Sequence, residues 1–325
     1  MYTDFSKVRG FNYQPSYGCT NFENWLYFKP DVVADELKNG KRLFPGMNTV
    51  RLWLDLYAYQ HEPNQFVQNF ETALSICDSL GLKVMVVLFN RWHDQVCDCG
   101  GIYYNHFLPV AGFNEHHRKH ADNYIESVVG AHAKDERIIA WDICNEPFTF
   151  GGDEELGKML DKYEAIWMRE HYAKCKQAGA TQPVTFSPTI VSPEETEKYD
   201  DISDVYLIHP YFFYSDEEYE NTKLETCVSL LKDMSDLAKR HKKQICTTET
   251  CWGSMDDNTR VGMIRITMEA HREVGMGWIA HALYHSRVAD LHDATDGPIG
   301  VPGNLAFVRK DGTIRPGHEI INEYF

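Results

Sequence analysis

Eight short apolar runs, separated by longer amphipathic stretches, constrain this chain more than any other feature. They are VRGFNY (8–13), MNTVRLWL (47–54), LKVMVVLF (82–89), RIIAWDIC (137–144), PVTFSP (183–188), DVYLIHP (204–210), QICTTET (244–250) and MGWIAHAL (276–283). Each has strand length, and several are apolar without strict alternation, the pattern of strands covered on both faces. Helical stretches over 31–40, 64–81, 117–133, 156–179, 224–243 and 258–275 separate them, and the fifth unit, 189–203, has only a short acidic helix. Gly40, Gly81, Gly179 and Gly275 follow four helical stretches just ahead of the next strand, the placement of a helix-ending glycine. Strand–helix alternation builds a parallel sheet. Eight such units, undivided by a linker or low-complexity segment, predict an α/β fold: one catalytic domain over 1–325, a single (β/α)8 TIM barrel. A doubly wound open sheet is the other solution, but the chain has no GxGxxG or P-loop to accompany it.

A net charge of −16 disfavours nucleic acid and anionic membranes, which need a basic surface, and points to a neutral substrate. No apolar run approaches membrane-spanning length, and the N-terminal residues have no signal-peptide core. Nine scattered cysteines do not form a disulfide framework, so a reducing, cytoplasmic location is expected. Cys97-Asp98-Cys99, with His93 ahead of them, is the one metal-like cluster. It would need a fourth ligand such as Cys19 or Cys251. It is read as free thiols, and no metal or other cofactor is expected.

A barrel gathers the residues at the C-terminal ends of its strands into one site. Here those ends carry Asn12 and Tyr13; Arg51 and Trp53; Asn90, Arg91, Trp92 and His93; Asn145 and Glu146; His209 and Tyr211; Glu249 and Trp252; His281 and His285. In RIIAWDICNEP the polarity changes abruptly at Asn145-Glu146, and Pro147 removes the donor that would continue the ladder. TTETCWG places Glu249 in the same way at the tip of the seventh run. Two carboxylates about 5–5.5 Å apart across a barrel mouth allow double displacement at an anomeric carbon. Arg51 and Tyr211 would donate to one of them, keep it ionised and so divide the roles. Of the many aromatics at this face, Trp92, Tyr211 and Trp252 are the expected sugar contacts.

The ordered set Arg51, Asn145-Glu146-Pro147, His209-Pro210-Tyr211 and Glu249, spread over the whole chain, resembles glycoside hydrolase clan A, and most closely family 5, the cellulase- and mannanase-like retaining β-glycosidases. The resemblance implies Glu249 as nucleophile, Glu146 as acid/base and Asn145 as a partner of the sugar 2-hydroxyl. Arg51, Asn90, Trp92, His209, Tyr211, Trp252 and His281 would be substrate-binding. The substrate implied is a neutral β-linked mannoside or glucoside, in an oligo- or polysaccharide. The stretch 88–107 is similar to the third-strand loop of mannanases, with Arg91 where they have a second Asn. The family's strand-eight Trp has His281 as its nearest match, with Trp278 earlier on the strand. Two other readings accompany this one: a metal-dependent barrel hydrolase using His93, His209, His281 and His285, and a non-catalytic sugar-binding barrel.

Overall fold

The computed structural model describes residues 3–91, 101–109, 114–148, 154–212, 223–254, 256–286 and 305–325. Eight parallel strands form one sheet: β1 (Arg9–Tyr13), β2 (Thr49–Trp53), β3 (Lys83–Asn90), β4 (Ile138–Asn145), β5 (Val184–Ser187), β6 (Tyr206–Ile208), β7 (Ile245–Thr247) and β8 (Gly277–Ala280). Their order is β5-β4-β3-β2-β1-β8-β7-β6. Because β1 pairs with both β2 and β8, the sheet curls into a nearly closed (β/α)8 barrel. No ladder runs between β5 and β6. There the Asp204 N–H donates to the Val184 carbonyl at 3.0 Å, and the Thr185 hydroxyl donates to the Val205 carbonyl.

Among the described residues the α-helices are α1 (Asn21–Leu26), α2 (Pro30–Leu43), α3 (Leu56–His61), α4 (Pro63–Ser79), α5 (Tyr104–Phe107), α6 (Asn114–Val128), α7 (Glu154–Gln177), α8 (Pro193–Glu197), α9 (Leu224–His241) and α10 (Asp257–Val274). Prolines open α2, α4 and α8, where a missing N–H costs nothing. Gly81, Gly179 and Gly275 adopt the left-handed backbone expected of helix-ending glycines. Gly40 does not: α2 continues to Leu43, and a Cβ at Gly40 would lie 2.8 Å from Leu283. That glycine therefore serves a close approach between α2 and the segment after β8.

Two apolar layers hold the barrel. Val50 and Leu52 of β2, Val84, Val86 and Leu88 of β3 and Trp141 and Ile143 of β4 face outward into the helical layer. Phe5, Met85, Ile139, Ala140, Leu207, Cys246 and Ile279 form a separate cluster inside the barrel, near the N-terminal ends of the strands. The N-terminal turn carrying Phe5 reaches the barrel because residue 277 is glycine, where a Cβ would lie 1.9 Å from the Phe5 carbonyl oxygen. Above this plug the interior turns polar, beginning with Arg51 and Asp142. Among the described residues no helix is long and apolar enough to cross a membrane.

Candidate active site

Arg51 is the centre of the polar layer. It points inward from β2, is fully buried, and is bracketed by the outward-facing Val50 and Leu52. Its Nε and Nη2 donate to Asp142 Oδ2 at 3.2 and 2.8 Å. Nη2 also donates to Asn145 Oδ1 at 2.7 Å and Ser187 Oγ at 2.8 Å. Nη1 donates to Asn12 Oδ1 at 2.9 Å and to Glu249 Oε1 at 2.6 Å. One planar cation thus ties β1, β2, β4, β5 and the end of β7 together, a task suited to a guanidinium fork.

Glu249 stands two residues beyond β7. Its second oxygen accepts from the Tyr211 hydroxyl at 2.8 Å, and His281 Nδ1 lies 3.3 Å from it. Burial alone would raise this carboxyl, but the His209 and His281 rings and the Arg51 guanidinium outweigh it and hold Glu249 well below the usual carboxylate range. Burial and the neighbouring Glu249 push Tyr211 far up, so its phenol remains a donor.

Glu146 follows β4, its N–H bonded to the Ser187 carbonyl at 2.8 Å. His209 Nδ1 lies 2.8 Å from Glu146 Oε1 and 3.8 Å from Glu249 Oε2. One carboxylate oxygen of Glu146 and one of Glu249 fall within 4.8 Å of each other. Chemically, the site holds one carboxylate bonded to the Arg51 guanidinium and kept as an anion, and a second in contact with the His209 imidazole.

The structure therefore brings together Arg51, Asn145, Glu146, His209, Tyr211, Glu249 and His281. Asn145 Nδ2 donates to Asn90 Oδ1 at 3.0 Å, which places Asn90 in the same network with one Asn145 N–H left to point elsewhere. Trp252 is half-buried and packs edge-on against the Tyr211 ring with 4.7 Å between centroids. Trp92, His93, Cys97 and Cys99 lie outside the described residues. Tyr13 and Trp25 are core rings: Tyr13 donates to the buried Glu36 at 2.7 Å, and Trp25 stacks on Phe28. Trp278 faces the outer layer against Phe325, whereas His281 is the residue that reaches Glu249.

Asp142 and Ser187, absent from the expected site, belong to the Arg51 network. An acid within an otherwise apolar strand was their available signal, since a buried carboxylate needs a cation. Glu146, His209 and Glu249 have the donor types of a metal site, yet the Arg51 guanidinium already supplies positive charge there. Glu71, His132 and Asp135 also converge. Between those carboxylates Arg137 Nη2 sits 2.7 Å from Glu71 and 2.6 Å from Asp135, so a cation already fills that position.

Residues 24–285 match the family described as Cellulase (glycosyl hydrolase family 5). No curated protein matches the sequence. Solved structures share the fold at low identity. A variant of the GH5_18 protein of Streptomyces cattleya, in complex with Manβ1-4GlcNAc, is 15% identical with a TM-score of 0.74, over 97% of this chain and 79% of that one. A GH5_18 protein of Bifidobacterium longum subsp. longum is 17% identical with a TM-score of 0.70, over 97% and 77%. The endo-β-1,4-mannanase of Thermotoga petrophila is 15% identical with a TM-score of 0.67, over 98% and 76%.

Proposed function

The chain belongs to glycosyl hydrolase family 5 and is a retaining O-glycosyl hydrolase, and we propose that it cleaves neutral β-linked mannosides or glucosides with Glu249 as nucleophile and Glu146 as acid/base. The unequal setting of two adjacent carboxylates carries this reading. Glu249, held as an anion by Arg51 and Tyr211, attacks the anomeric carbon. The bond from that carbon to the leaving oxygen breaks as the oxygen takes the Glu146 proton. In the second step the Glu146 carboxylate removes a proton from water, the water oxygen attacks the same carbon, and Glu249 departs. Two inversions give net retention. The contact between His209 Nδ1 and Glu146 Oε1 at 2.8 Å orients the carboxyl for proton transfer.

A neutral sugar agrees with the strongly negative net charge of the chain, which repels acidic polysaccharides. The disaccharide Manβ1-4GlcNAc bound by the S. cattleya protein and the mannanase name of the T. petrophila enzyme support mannose as the first sugar to test. Parallel assays on aryl β-mannosides and aryl β-glucosides decide between the two, and turnover of neither sinks the substrate assignment.

Glu146→Ala tests the acid role. Leaving groups that need protonation should lose roughly 10²–10⁴-fold in kcat/KM, the usual contribution of a positioned acid. A dinitrophenyl glycoside, whose phenolate leaves unaided, should lose far less in its first step. Equal loss on every leaving group contradicts the assignment.

A further inference from the structure

Glu146 sits on backbone that a side-chain-bearing residue rarely adopts. Its φ is +49°, and Phe148, two residues on, has φ +64°. Left-handed conformations at non-glycine residues persist only where the surroundings over-determine them. Pro147 between them supplies no donor, so the turn depends on contacts from outside itself.

Those contacts converge on one buried carboxylate. The Arg91 N–H donates to the Asn145 carbonyl at 3.0 Å, just ahead of Glu146. The Arg91 guanidinium turns away from the barrel mouth and donates from Nε to Glu164 Oε1 at 3.0 Å, with both side chains buried. Just beyond Glu146, the Phe148 N–H hydrogen-bonds to that same Glu164. The Phe148 ring also stacks on Tyr199 at 4.4 Å and 8°. Glu164 lies on α7, so one residue of the helical layer grips the chain on both sides of Glu146. Arg91 is itself flanked by the Tyr104 and Phe107 rings at 4.9 and 5.3 Å, which fixes the cation's place.

We propose that Glu164 is a positioning residue for Glu146: by holding Arg91 and the Phe148 N–H with one carboxylate, it fixes the left-handed turn that aims the acid/base into the site. This also gives Arg91, which stands where mannanases have an asparagine, a supporting role in place of a sugar contact. The inference rests on the acid/base reading of Glu146.

The test is leaving-group dependence in Glu164→Ala and Glu164→Gln, run beside wild type and Glu146→Ala on one series of aryl glycosides. Glu164→Ala should lose about 10-fold or more on the poorest leaving groups and only about 2-fold on a dinitrophenyl glycoside, because only steps that need the acid suffer. Glu164→Gln keeps an acceptor for the Phe148 N–H and should fall between Glu164→Ala and wild type. It also keeps the side-chain shape if Glu164→Ala fails to fold. A folded variant that loses rate equally on every leaving group, or loses none, overturns the positioning role. A Glu146→Ala variant without leaving-group dependence would instead remove the acid/base reading itself, so the two failures are told apart on one plot.

Discussion

Glu249→Ala is expected to lower turnover by on the order of 10⁵-fold or more, the scale on which removal of a covalent nucleophile acts. Adding azide to this variant with an activated aryl glycoside should restore turnover and yield a glycosyl azide of inverted configuration. In that reaction azide nitrogen bonds to the anomeric carbon from the face Glu249 vacated, and the bond to the aryl oxygen breaks. The matching experiment on Glu146→Ala should give the azide of retained configuration. There Glu249 still forms the covalent intermediate, and azide replaces water in the second step. Anomeric coupling constants in the product distinguish the two outcomes. Retained azide from Glu249→Ala with inverted azide from Glu146→Ala would exchange the two roles, and undiminished hydrolysis by Glu249→Ala would remove Glu249 from the mechanism.

The barrel was legible because its strands, buried on both faces, leave nearly continuous apolar runs, and each observed strand falls inside or within one residue of its run. The convergence of Arg51, Glu146 and Glu249 was legible from the polar residues at strand tips. Facing was harder to read. In a strand apolar on both sides nothing tells Trp278 from Ile279, and only the structure shows Ile279 turned into the barrel and Trp278 outward. His281, on the inward parity set by Ile279, therefore reaches Glu249, from the position matched to the family's strand-eight Trp. The same alternation sends Tyr13 to the outer layer and Asn12 to the site.

Glu164 was illegible for a different reason. An acid in the amphipathic pattern of α7 looks like one more solvated side chain, and nothing in sequence marks it as the partner of Arg91. The left-handed backbone at Glu146 and Phe148 carries no glycine or asparagine to announce it. Both depend on contacts distant in sequence, which local propensity does not encode.

Arg51→Met should cost about 3–5 kcal/mol of folding stability, because it leaves buried carboxylates without their cation. Chemical denaturation at neutral pH measures this. The pH dependence identifies the cause. In the native protein Glu249 is held well below its ordinary value of 4.5, so the stability it contributes is present above that value and is lost as pH falls through the folded pKa. Removing Arg51 takes away one of the charges that oppose burial, beside the His209 and His281 rings, so the Glu249 carboxyl should rise. Two consequences follow from that one change. The acid limb of kcat/KM should move to higher pH, since a protonated Glu249 cannot attack. The stability deficit of the variant should shrink on acidification, since a neutral Glu249 no longer needs a counter-charge. Arg51→Lys restores charge but not the fork that reaches Asn12, Asn145 and Ser187, so it should recover more of the stability than of the rate. A deficit that is constant between neutral and mildly acidic pH would mean that Arg51 acts by packing alone, and the electrostatic division between Glu249 and Glu146 would then need another source.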